Sequence, residues 1–211
     1  MKRWLSMWAT AALVGCGGGN VAVEVERDAS AATDGTSLSE LEAAQSVRLP
    51  IAEVRLHLAN EAASDDQGGW QTLPLETREV DLLALPIDGS VFLGDLSLPA
   101  GKITQIRLRL AATGGEGEER VIAGAVTEAD GSICDLIVPA SAWEQGVKIV
   151  HPFKLIDVDP AQRVTLVLAF ALQDASRSSE AGGCAWRLRP VLKLMKPTVE
   201  PAPQAQAHAG R

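Results

Sequence analysis

Two outward rows of arginine are the groups in this chain best placed to do chemistry. Val54-Arg-Leu-His-Leu and Ile106-Arg-Leu-Arg-Leu alternate apolar and cationic residues, so Arg55 and His57, and Arg107 and Arg109, emerge on one face of an extended segment. Arg187, Arg189 and Lys193 form a third row within and just before Leu188-Arg-Pro-Val-Leu-Lys-Leu. Planar guanidinium groups grip carboxylate and phosphate through paired hydrogen bonds. If these segments share a sheet, they make a basic strip for an acidic glycan or another anion. The opposing expectation is that cross-strand Glu and Asp neutralise the rows. Trp70, after Gly68-Gly69, and Trp143, near Pro139, are the candidates for stacking on a sugar, against the alternative of a core or rim residue.

Hydrolytic chemistry finds little support. No Gly-x-Ser-x-Gly elbow is present, and the three histidines, His57, His151 and His208, stand in no recognised catalytic context. His57 reads as an outward, solvated strand residue and His151, just before Pro152, as a loop residue. No His-x-x-x-His or Cys-x-x-Cys spacing suggests zinc. Asp65-Asp66-Gln67-Gly68-Gly69 lacks the alternating acids and closing Glu of a calcium loop and reads as an acidic hairpin loop. The expectation is a non-enzymatic protein without a cofactor or metal.

The cysteines say more. Cys16 ends a run in which Lys2 and Arg3 precede an apolar stretch from Trp4 to Val14. That stretch of about 11 residues falls short of the roughly 20 a transmembrane helix needs. Leu13-Val14-Gly15-Cys16 resembles a lipobox, whose cysteine receives a diacylglyceryl group and becomes the new N-terminus. An ordinary secretory cut at Ala9-Thr10-Ala11 would leave Leu13 and Val14 exposed. Several acyl chains hold a protein stably, at about 0.8 kcal/mol per buried CH₂. The expected location is therefore the cell envelope, with the protein anchored in a membrane. Gly17, in place of an Asp, favours the outer one. Once Cys16 is lipidated, Cys134 and Cys184 remain as a pair in an oxidising compartment, where a disulfide is expected.

These residues need a scaffold, and the rest of the chain describes one. Losing Lys2 and Arg3 takes the formal charge from −8 to about −10, which argues against nucleic acid as a partner. The partners left are the membrane and an envelope protein or glycan. Apolar residues make up 46% of the chain, and with no Tyr and three Phe the core is aliphatic. Short alternating runs separated by turn formers such as Ile87-Asp-Gly-Ser, Leu98-Pro-Ala-Gly and Ala129-Asp-Gly-Ser read as an antiparallel β-sandwich. Strands are expected around Val54, Val80–Leu85, Val91–Leu96, Ile106, Val121–Val126, Ile133–Val138, Val147–Leu155, Val164 and Leu188–Leu194. Pro190 marks an edge or bulge in the last. Helix is expected only over Ser37–Ala44. Residues 1–15 read as a signal peptide, 16–46 as the lipidated cysteine and a flexible tether, 47–196 as the sandwich and 197–211 as a disordered tail. Within the tether, Val21-Ala-Val-Glu-Val has the pattern of a short strand.

The order of segments from about Arg48 to Leu194 resembles a bacterial lipoprotein family known as the domain of unknown function 4382. The resemblance rests on Val80-Asp-Leu-Leu-Ala-Leu, Leu98-Pro-Ala-Gly-Lys-Ile-Thr-Gln-Ile-Arg-Leu, Val138-Pro-Ala, Gln145-Gly-Val-Lys-Ile, the strand from Val164, and Leu188-Arg-Pro-Val-Leu-Lys-Leu. It implies a transthyretin-like or immunoglobulin-like sandwich on an anchored or secreted protein, with no established activity. Family members carry Leu-Asp-Phe-Asp in the late strand where this chain has Leu168-Ala-Phe-Ala, so a cation or ligand held there by the family's acids would have lost its site. The Cys134/Cys184 pair is not a feature that the resemblance supplies.

Overall fold

Alternating apolar segments become strands because one side of each can be buried while the other stays polar, and here two sheets share the buried sides. The computed structural model describes residues 18–28, 41–59, 69–111, 120–149, 154–172, 175–180 and 183–202. Its strands are β1 Gly19–Arg27, β2 Ser46–Ala59, β3 Trp70–Asp81, β4 Val91–Leu98, β5 Gly101–Leu110, β6 Arg120–Thr127, β7 Ile133–Pro139, β8 Val147–Lys148, β9 Ile156–Val158, β10 Gln162–Ala171, β11 Ala175–Glu180, β12 Gly183–Leu188, β13 Val191–Leu194 and β14 Thr198–Pro201. Helix in this set is a 3₁₀ turn at Leu41–Ala43 and a short helix, α1, at Ala140–Glu144.

Sheet A runs β13-β10-β1-β4, and β14 also pairs with β10. β13 takes Leu168–Ala171 and β14 takes Gln162–Thr165, so the two short strands lie end to end along one edge of β10. Sheet B runs β11-β12-β7-β6-β2-β5-β8, with β3 added to β2 and β9 to β5. Strand β2 is where sheet B branches. Its first residues, Ser46–Arg48, pair with β6, its remainder from Ile51 to Ala59 pairs with β5, and β3 lines the opposite edge. The fork needs a residue with no side chain. A Cβ at Gly124 of β6 would stand 2.1 Å from the Arg48 carbonyl oxygen, and the β6 register slips at that point.

Val54, Leu56 and Leu58 of β2 join Ile106 and Leu108 of β5 inside, facing Val21, Val23 and Val25 of β1 and Leu166, Leu168 and Phe170 of β10. All are buried, each contributing about 1.5–3 kcal/mol of transfer free energy. Asp81 ends β3 by accepting the Val47 and Leu83 N–H groups at 3.0 and 3.1 Å. The disulfide joins Cys134 of β7 to Cys184 of β12, with Cα atoms 4.8 Å apart.

The sandwich is thus as expected in kind, and four details differ. First, residues read as tether include β1, which lies between β10 and β4 at the centre of sheet A with Val21, Val23 and Val25 fully buried. The short apolar alternation there was a strand signal, and long-range pairing decides its place. Second, β14 falls within the stretch read as a tail; the edge of β10 left open beyond β13 gives it a partner. Third, Leu188–Leu194 is not one strand. The chain leaves sheet B at Leu188, passes Arg189 and Pro190, and enters sheet A at Val191, because Pro190 has no N–H to continue a ladder. Of Val147–Leu155, Val147–Lys148 form β8, while residues 150–153 lie outside the described residues. Fourth, β1 pairs with β10 and β7 with β12 in parallel, so both sheets are mixed. Of Ser37–Ala44, the residues from Leu41 form the 3₁₀ turn, while Ser37 to Glu40 lie outside the described residues.

Candidate functional site

The outer face of sheet B collects the first two arginine rows, as strand alternation requires. Arg55 of β2 stands in register with Arg107 of β5, and Arg107 with Lys148 of β8. One step along, Glu53 lies opposite Arg109. Its carboxylate accepts from Arg55 Nε at 2.7 Å and pairs with Arg109 at 3.5 Å. One acid therefore serves two cations, and the neutralisation expected for an exposed row holds for Arg55 and Arg109.

Arg107 is different. Its guanidinium carbon lies 4.6 Å from the centre of the Trp70 ring, a cation–π arrangement, and one Nη donates to the Gln145 carbonyl oxygen at 3.4 Å. Its Nε is buried and has no hydrogen-bond partner among the described residues. Trp70 opens β3 and is 37% exposed. The ring also meets His57 edge-on, with centroids 5.0 Å apart. Arginine thus covers the indole that sequence reasoning offered to a sugar. Trp143, in α1, packs half-buried against the core.

His57 points outward as its alternation requires, yet it is only 6% exposed because Trp70 covers it; the expectation of a solvated residue is corrected. Its Nδ1 pairs with the Thr104 hydroxyl at 2.7 Å. A hydroxyl beside an imidazole is half of a nucleophile–base arrangement. On the other side of the ring a Cβ at Gly69 would stand 2.8 Å from Nε2, and no described carboxylate orients that nitrogen.

The third arginine row separates from the first two. Arg187 is on β12, two strands beyond β6 in sheet order, and Arg189 follows it on the crossing to sheet A. Lys193 belongs to sheet A, where its ammonium meets Asp28 at 2.5 Å. A single basic strip is therefore not formed. A shorter one is: Arg189 and Lys148 line a surface groove of about 250 Å³ with Pro139, Ser141, Gln145 and Gly146, and among the described residues no acid lines it. Arg107 and Arg109 stand behind its floor, at 3.4 and 3.3 Å from where a Gly146 Cβ would lie. Sequence reasoning missed Lys148, whose two-residue strand has too few positions to show a period.

Acidic groups gather elsewhere. Burial first, then the Asp28 and Asp88 carboxylates, raise the Glu26 pKa above the ordinary range. The Ser132 hydroxyl and backbone N–H lower that of Asp130. Glu128 accepts the buried Trp186 indole N–H at 3.1 Å and pairs with Arg177 at 2.8 Å. Ala169, where the resemblance led one to expect an acid, is buried in register between Glu26 of β1 and Lys193 of β13, and Ala171 is buried beside it. Among the described residues no group of three or more His, Cys, Asp and Glu is placed to hold a metal ion. Cys16, His151, His208 and the Asp65–Gly68 stretch lie outside the described residues.

A model for the family described as Domain of unknown function (DUF4382) matches residues 33–190. No curated protein and no solved structure matches the chain. The matched span leaves out β1, β13 and β14, three of the five strands of sheet A.

Proposed function

The chain belongs to the DUF4382 family, and on that footing we propose that it is a lipid-anchored envelope protein, of the outer membrane, whose sandwich serves a non-enzymatic structural or interaction role. One observation carries the reading: Leu13-Val14-Gly15-Cys16 ends an apolar run too short to span a bilayer. The disulfide between Cys134 and Cys184 supports an oxidising compartment, since such bonds persist there and are rare in the cytosol. His57 is committed to the Thr104 hydroxyl and covered by Trp70, a setting that suits a structural part for this imidazole. Feeding alkyne-palmitate to cells expressing the chain tests the anchor. Wild type should take up label and float with the outer membrane, and Cys16→Ala should do neither. Equal labelling of the two proteins refutes it.

A second reading, a module that binds anionic glycans, draws on the groove between Lys148 and Arg189. Two cations with no acid among the described lining residues suit a carboxylate or sulfate. Titration with polygalacturonate separates the readings. Binding that Lys148→Ala and Arg189→Ala weaken together favours the module, and no binding at low salt rejects it.

A further inference from the structure

Strand β1 begins at Gly19, three residues after Cys16. A chain reaches at most about 3.6 Å per residue, so Cys16 can lie no more than about 11 Å from the sheet. The strand cannot be drawn out to lengthen this link. It pairs on both sides over its length, and Val21, Ala22, Val23 and Val25 are fully buried. The 30-residue tether that the composition suggests therefore does not stand between anchor and domain.

This places one pole of the sandwich at the lipid. At the start of β1, a Cβ on Gly18 would touch the Leu98 carbonyl oxygen and one on Gly19 the Asp159 carbonyl oxygen, each at 2.7 Å. The β4–β5 turn, with Pro99 and Ala100 exposed, and the β9–β10 turn, Asp159 to Ala161, thus flank the entry point. The end of β14 joins them through Ala202 N–H, which donates to the Ala161 carbonyl at 2.8 Å. These turns are small residues and proline, with Asp159 as their charge. Lys102 and Asp157, just behind, form an ion pair at 3.8 Å.

The opposite pole carries several carboxylates, of which Asp28 and Glu128 are paired with Lys193 and Arg177. Glu26, Asp28 and Asp88 crowd the far end of β1, and Glu128 and Asp130 mark the β6–β7 hairpin. Both groups lie at one end, because Pro86 accepts from Arg27 N–H while the neighbouring Leu82 N–H reaches Val47 at the start of β2. Strand β2, 14 residues long, runs from that end toward Lys102 at the other, a length of about 45 Å.

We propose that the domain stands upright on the bilayer without a stalk, its Pro99–Gly101 and Asp159–Ala161 turns against the lipid surface and the carboxylates at the far end of β1 about 30 Å away. The orientation rests on lipidation of Cys16 as read above. The test uses the full-length lipidated protein in phosphatidylethanolamine/phosphatidylglycerol vesicles that carry nitroxide headgroups. A fluorophore is attached at Ala100→Cys or at Ala129→Cys, with the native disulfide left oxidised. Quenching several-fold stronger at position 100 than at 129 supports the orientation. Insertion of 20 Gly and Ser residues between Gly18 and Gly19 should then reduce the difference. A protein that carries acyl mass and floats with the vesicles, yet is quenched equally at both positions, overturns the orientation alone. A protein without acyl mass that fails to float overturns the anchor, and the orientation with it.

Discussion

Breaking the bond between Cys134 and Cys184 should cost the fold about 4 kcal/mol. The two cysteines are 50 residues apart in sequence. Closing a loop of that size removes about 14 cal/mol/K of entropy from the unfolded chain, or roughly 4 kcal/mol at 25 °C. For a chain of this length that is about 8–16 °C in melting temperature, and about 2 M in urea midpoint at a slope of about 2 kcal/mol/M. The structure also says where the loss should fall first. Strand β12 is held to β7 by a register of three residues, Ala185 to Arg187, and β11 is held by its ladder with β12 and the Arg177–Glu128 ion pair. Oxidised wild type, reduced wild type and Cys134→Ala/Cys184→Ala should be compared by urea denaturation and by amide hydrogen exchange. The reduced protein isolates the bond, because no side chain is removed. Amides of Ala175 to Leu188 should exchange faster on reduction while those of β1 and β10 hold. A midpoint shift below about 0.5 M, with protection in the hairpin unchanged, would refute the loop-entropy argument.

Gly124→Ala should destabilise by about 3 kcal/mol, since its Cβ has backbone rather than a flexible side chain in its way; a loss under about 1 kcal/mol in urea denaturation means the fork at β2 is looser than described. Glu128→Ala leaves the Trp186 indole N–H buried without its acceptor and should cost about 2 kcal/mol, whereas Glu128→Gln, which keeps an acceptor, should cost less than half of that; equal losses would contradict the hydrogen bond. Glu26 has a raised pKa in the fold, so its ionised form opposes folding above that pKa and the penalty fades as pH falls below the unfolded value, about 4.3. Glu26→Gln should therefore raise the melting temperature at pH 7 by a small amount and lose that advantage near about pH 3.5; an equal gain at both values tells against the carboxylate as the cause.

How far these residues could be read in advance depends on how locally each is determined. The alternations in β2, β5 and β10 declare their strands and faces, because a half-buried strand has to repeat every second residue. Cys134 and Cys184 were legible by parity. Strand β11, Ala-Ser-Arg-Ser-Ser-Glu, has no apolar repeat and exists by pairing with β12, so nothing local marks it. The same holds for the candidate site. Outward Arg55, Arg107 and Arg109 follow from alternation, but that Glu53 serves two of them and Trp70 covers the third follows from cross-strand register. Pro190 was the right signal read one step short: it marks a passage between sheets, and this parts Lys193 from Arg187.

If the chain is exported as proposed, the parallel pairing of β1 with β10 also sets an order of events there. Val21 lies beside Val164, about 140 residues later in the chain, and the other neighbour of β1, β4, begins only at Val91. An N-terminal segment leaves a secretion channel first, so β1 emerges as an apolar, unpaired strand and waits for most of the chain before its central slot exists. Non-local pairing of this kind is slow and leaves strand edges open to wrong partners in the meantime. If Cys16 is fixed to lipid during that interval, the waiting strand is held at the membrane and away from other copies. The proposed lipid anchor would then also shelter a slow folding step.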